Sequence, residues 1–143
     1  MTKVLYTAYA EVTGGRDGHG ATTDGELQVE LRRPKEMGGS GDGTNPEALF
    51  AVGYAACFES ALGVVARRKK VDAGEVTIHS SVSLSPTGDG GFRLSVTLDV
   101  SIPAVGDRNT AAELVRGAHE VCPYSNATRG NIDVELLLDG ESL

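Results

Sequence analysis

Two cysteines, Cys57 and Cys122, are the side chains in this sequence best suited to nucleophilic or redox chemistry. A thiol acts only as its thiolate, so its pKa separates a reactive cysteine from an inert one. Composition alone favours the inert reading, because free cysteine is among the most buried residue types. Cys57 lies in an apolar run, and burial there lifts a thiol above its ordinary value of about 8.5. Reactivity at neutral pH therefore requires a cation beside it. An opposite charge lowers a pKa by about 1–3 units. A two-unit drop needs roughly 2.7 kcal/mol, within reach of one guanidinium. His119 and Cys122 have a spacing found in metal sites, but two ligands fall short of the three or four that zinc takes, so no metal is expected. The three histidines are scattered and form no nucleophile–base pattern.

The 143 residues suit one domain spanning 1–143, long enough to fold without disulfides or a structural metal. The formal charge is −7 and tryptophan is absent, which argues against a nucleic-acid partner. The basic run Arg67-Arg68-Lys69-Lys70 suits the solvated last turn of a helix, where cations complement the dipole. The N-terminus has no signal-like pattern, and the apolar runs read as shorter than the ~20 residues of a membrane span. A cytoplasmic location without membrane association is the expectation, and thiols there are kept reduced.

The elements that must position these residues follow from pattern. Val4 to Val12 is rich in β-formers and reads as a strand. Gly14 to Gly20 is a glycine-rich turn carrying Arg16, and Asp24-Gly25 marks a hairpin into an alternating strand over 26–33. A flexible glycine-rich loop covers 36–43. Thr44 and Glu47 have capping-box spacing and Pro46 suits a first turn, so a helix is predicted over 47–70. That helix is apolar nearly all round, the mark of burial on most sides. A chain of this size has little material to surround it, so a partner chain is expected to pack against it. Strands over 76–84 and 92–102 form a hairpin. A second helix begins at a Thr110–Glu113 capping box and is stopped by Pro123, and a final strand covers 132–138. This order predicts an α+β fold, mainly antiparallel sheet packed on a central buried helix.

Three segments carry a family resemblance. Thr44 to Phe58 (TNPEALFAVGYAACF) resembles the first signature of the organic hydroperoxide resistance (Ohr) proteins, a branch of the OsmC/Ohr family. His119 to Val134 (HEVCPYSNATRGNIDV) resembles the second, which distinguishes the Ohr branch from the OsmC branch. Thr13 to Gly18 (TGGRDG) is similar to the family's N-terminal turn. The resemblance implies an OsmC/Ohr-like fold in an intertwined homodimer with shared active sites. It implies a peroxidase in which Cys57 attacks the peroxide oxygen, expels an alcohol and becomes a sulfenic acid. Cys122 then closes a Cys57–Cys122 disulfide. Arg16 would stabilise the thiolate and Glu47 would hold Arg16. No cofactor is expected to be bound, and a dihydrolipoyl thiol on a lipoylated protein would serve as external reductant. An apolar alkyl or fatty-acid hydroperoxide is the expected substrate, with Phe50, Phe58, Tyr124, Met37 and Leu49 as candidate pocket residues. Arg129 and Asn131 would order the loop around Cys122.

Helix geometry adds one expectation. Glu47 lies ~15 Å along the axis from Cys57 and about 80° around it. Arg16 and Glu47 of one subunit are therefore expected to complete the site holding the partner's Cys57. Without the resemblance, Glu47 reads as a helix cap and Arg16 as a surface charge. An OsmC-branch enzyme with broader peroxide preference and a non-catalytic dimeric module are the competing readings.

Overall fold

The computed structural model describes residues 2–143 and divides at Leu49–Phe50 into two compact units. In the first, short strands with glycine-permitted turns make a three-stranded antiparallel sheet, β1 (Ala10–Thr13), β2 (His19–Thr22) and β3 (Gln28–Glu30), in the order β1-β2-β3. The β1–β2 turn includes a 3-10 turn, Gly15–Asp17, entered through Gly14 in the left-handed region at φ 85°. A Cβ on Gly18 would run into the Thr13 carbonyl oxygen, so this turn closes only with glycine there. Gly20 lies across from Val12 on one side and Val29 on the other.

The strand expected over 4–12 is shorter than its β-propensity suggested. Residues 2–9 form no regular strand, and Leu5 is 94% exposed. Propensity describes a fit to a pleated, half-buried surface, and the ladder with β2 starts only at Ala10. The strand over 26–33 likewise contracts to Gln28–Glu30.

Helix α1 (Pro46–Lys69) has Pro46 in its first turn, as expected. Its cap is Asn45, whose Oδ1 accepts a hydrogen bond from the Ala48 N–H at 2.8 Å. The expected Thr44–Glu47 capping box does not form, because both Glu47 carboxylate oxygens are engaged by Arg16. Over an 18-residue window α1 is long and apolar enough to cross a membrane, contrary to the reading of its apolar runs as too short. Only 28% of that window is buried, so the expected burial on most sides is not achieved within one chain.

In the second unit, β4 (Thr77–Pro86) and β5 (Phe92–Ser101) form the expected hairpin. β6 (Val134–Leu138) joins β5 in parallel, and a short β7 (Glu141–Ser142) completes a sheet of order β4-β5-β6-β7. The fold is α+β with antiparallel pairing dominant. Helix α2 (Arg108–Val121) starts three residues before the expected Glu113-based cap would allow: Asp107 is its N-cap, accepting from the Asn109 N–H and the Thr110 hydroxyl. Ala111, Leu114, Val115 and Ala118 recur at helical spacing and are buried. They meet Tyr54, Phe58 and Leu62 of α1 and Val96, Leu98 and Val100 of β5 in one core. Pro123 ends α2 and opens a further short helix, α3 (Pro123–Thr128), absent from the sequence-based reading.

Candidate active site

The two cysteines come together in the second unit. Cys57 projects from the middle of α1, half-buried against the core, and Cys122 is wholly buried at the α2–α3 junction. Both are free thiols. The Cys122 side chain adjoins that of Cys57 closely enough to act on its proton. Burial is the largest influence on Cys57 and pushes its thiol up; the Tyr124 backbone N–H opposes this, and Cys122 adds to it. The sulfur's own surroundings therefore favour the neutral thiol.

Cys122 is held by the way one helix ends and the next begins. Its N–H donates to the Ala118 carbonyl at 2.8 Å, closing α2, and its Sγ accepts from the Ser125 N–H at 3.5 Å, capping α3. Beneath it runs a chain of polar groups. His119 Nδ1 and Ser125 Oγ are 2.8 Å apart, Ser125 Oγ and Tyr54 Oη 2.8 Å, and Tyr54 Oη and Thr128 Oγ1 3.1 Å. Tyr54, Ser125 and Thr128 are all buried, so each hydroxyl needs this partner. Burial, with the nearby Arg129 charge, pushes His119 down and keeps it neutral. Arg129 donates to the His119 carbonyl at 2.8 Å and to Asn126 Oδ1 at 3.3 Å, which ties α3 back onto α2. Asn131 contributes through its backbone carbonyl, which accepts from Arg93 at 2.7 Å.

Of the expected pocket residues, Phe50 and Tyr124 stand together, and the Tyr124 backbone N–H acts on Cys57. Their rings stack at 5.8 Å and 23°, and Tyr124 lies 5.6 Å from the Tyr54 ring. Gly53 permits this, since a Cβ there would come within 2.8 Å of Tyr124 Oη. Phe58 is fully buried in the core instead of facing a cavity. Leu49 belongs to the first unit, where it lines a cavity of about 100 Å³ with Val12, Val29 and Leu31. Met37 ends the 3-10 turn Lys35–Met37 in the same unit and is 41% exposed.

The first unit holds the charged pair. Arg16 Nη1 and Nη2 donate to Glu47 Oε2 and Oε1 at 2.8 and 2.7 Å, a bidentate contact. The Glu47 side chain is only 15% exposed. The guanidinium holds the Glu47 carboxyl below its ordinary range, and Glu47 in turn holds Arg16 protonated. Arg16 and Glu47 were expected to meet, and they do so within one chain. Among the described residues, no group of three or more His, Cys, Asp or Glu side chains is placed to hold a metal.

Residues 39–137 match the OsmC-like protein family. The chain is 53% identical to the organic hydroperoxide resistance protein of Xanthomonas axonopodis pv. citri, covering 95% of this chain and 96% of that protein. A Vibrio cholerae structure described as an organic hydroperoxide resistance protein, with captopril bound in one of its active sites, aligns at a TM-score of 0.93. It is 50% identical and covers 99% of this chain and 96% of its own. An organic hydroperoxide resistance protein structure from Legionella pneumophila aligns at 0.91 with 53% identity, covering 95% and 98%. The chain belongs to the OsmC family, within its organic hydroperoxide resistance branch.

Proposed function

We propose that this protein is a thiol peroxidase that reduces organic hydroperoxides to alcohols. The observation that carries the reading is the pair of free thiols, one half-buried and one buried, adjoining in the second unit. The Cys57 thiolate attacks the outer peroxide oxygen, the O–O bond breaks, and the alkoxide leaves with a proton as alcohol. Cys57 is left as a sulfenic acid. The Cys122 sulfur then attacks Cys57, the sulfenic oxygen departs as water with the Cys122 proton, and a disulfide forms. A dithiol such as a dihydrolipoyl group on a lipoylated protein returns both thiols by exchange. No bound cofactor takes part.

Activation of Cys57 is assigned to Arg16. The thiol's own unit favours its neutral form, and a bidentate guanidinium held by Glu47 is a fixed positive charge able to reverse that. In this proposal residues 1–143 act as one domain of a cytoplasmic homodimer, and the Arg16–Glu47 pair of one subunit serves Cys57 of the other. The poorly covered α1 supports a second copy as its cover. Glu59, exposed in the middle of α1, argues against lipid there, where a charge is costly.

The test is direct. Reduced protein mixed with a slight excess of an alkyl hydroperoxide should lose two thiols per chain and gain an intramolecular disulfide on a non-reducing gel. Thiols that remain intact would reject catalysis in favour of a structural module. Comparable rates with hydrogen peroxide and an alkyl hydroperoxide would point to the broader OsmC-branch preference.

A further inference from the structure

A second cavity lies on the strand β5 side of the second unit. Its volume is about 450 Å³, and its wall includes Phe50, Phe92, Leu94, Ile132 and Arg93. Phe50 ties it to the thiols. Phe50 and Cys57 are seven residues apart on α1, hence on the same helix face and about 10 Å apart along the axis. The Tyr124 ring stacks on Phe50, while the Tyr124 backbone N–H acts on Cys57. Phe50 thus links the cavity wall to the helix face that carries Cys57.

Arg93 is the one charged side chain in this wall, which Thr87, Thr128 and Asn131 also line. One of its N–H groups is committed to the Asn131 carbonyl. Among the described residues no carboxylate lies within 4.0 Å of its guanidinium, as is also so for Arg67, Arg68, Arg116 and Arg129, but of these only Arg93 lines the cavity. In a chain of net charge −7, with Asp and Glu outnumbering Lys and Arg 20 to 13, an arginine left without a carboxylate beside this cavity is poised for an anion. The cavity's apolar side chains and its single cation match an amphipathic ligand, an alkyl chain ending in a carboxylate.

We propose that Arg93 is an anion subsite that binds the carboxylate of a long-chain fatty acid whose chain lies along Phe92, Leu94, Ile132 and Phe50. Resting on the peroxidase reading, this makes Arg93 a specificity-determining residue: it sets the hydroperoxide group of an acyl chain toward Cys57 by anchoring the opposite end.

Two experiments separate the subsite from the peroxidase reading. In the first, calorimetry compares decanoate with methyl decanoate, neither of which needs any catalysis. The intact protein should bind the acid about three- to tenfold more tightly, between the value of an exposed ion pair and that of a charged hydrogen bond. Arg93→Gln should bring the ratio to about one, Arg93→Lys should keep part of it, and added salt should shrink it. Loss of the Asn131 contact alone would weaken both ligands equally and leave the ratio intact. Equal binding of acid and ester by the intact protein, no binding of either, or a ratio unmoved in Arg93→Gln would overturn the subsite. In the second, kcat/KM is measured for a fatty-acid hydroperoxide and its methyl ester. The same ratio should appear and collapse in Arg93→Gln. Failure to consume either hydroperoxide would reject the peroxidase reading while leaving the calorimetric result to decide the subsite.

Discussion

The two units handle polarity in opposite ways. The first concentrates charge in a bidentate Arg16–Glu47 pair and leaves apolar side chains such as Leu5, Tyr6 and Val12 open to solvent. The second buries Cys122, half-buries Cys57 and threads a chain of polar groups, Thr128–Tyr54–Ser125–His119, beneath Cys122. The unit with the thiols favours the neutral form of Cys57: burial leads the influences on it, and all but the Tyr124 N–H push its pKa up. The unit with the fixed cation has no cysteine. Under the proposed function this is a division of labour, in which the thiol becomes reactive only where a guanidinium is supplied to it.

Breaking the nucleophilic half has the largest effect. Cys57→Ser should abolish hydroperoxide consumption, measured as peroxide remaining after many turnovers' worth of time. Cys122→Ser should consume one equivalent of hydroperoxide and stop, leaving a sulfenic acid that a trapping reagent labels and mass spectrometry counts. Full turnover in Cys122→Ser would show that the adjoining thiol is not the resolving group. Both variants leave the Arg16–Glu47 pair in place, so they test the second unit alone.

The neutral half can be sharpened through its hydroxyls. Tyr54→Phe removes the group that Ser125 and Thr128 share and should cost about 1–3 kcal/mol in denaturant unfolding, because buried polar atoms lose a partner. The smallest expected effect is at His119. Its folded pKa is pushed below the ordinary value, so the unfolded chain binds the proton more readily. Its contribution is therefore fully present above about pH 6.5 and declines as pH falls through that value toward the folded pKa. His119→Gln should flatten this part of the stability–pH curve, as followed by thermal melting from neutral to mildly acidic buffer.

Much of this was legible in the residues, for reasons that differ by region. Periodicity placed α1, the β4–β5 hairpin and α2, because long elements with one buried face repeat their pattern many times. The resemblance brought Cys57, Cys122, Arg16 and Glu47 forward as a set. The caps were misread at both helices. Asn45 and Asp107 outcompeted the Thr–Glu boxes, and at α1 the glutamate was engaged by an arginine 31 residues away. Helix α3 was hidden because Pro123 reads equally as a stop and as a first helical residue. The edge of the first sheet was overextended, since β-propensity over 4–9 says nothing about whether a neighbouring strand is there to pair with. Ser125, Thr128 and Arg93 gave no usable signal, because a hydroxyl's partner or an arginine's lack of one is set by tertiary placement.

The central claim is that Arg16 makes Cys57 nucleophilic. The measurement is the pH dependence of Cys57 alkylation by iodoacetamide in a Cys122→Ser background, with Arg16 intact and with Arg16→Ala. With Arg16 the midpoint should lie about 1–3 units below that of the alanine variant, with a correspondingly faster reaction at neutral pH. Coincident titration curves for the two proteins would contradict the account.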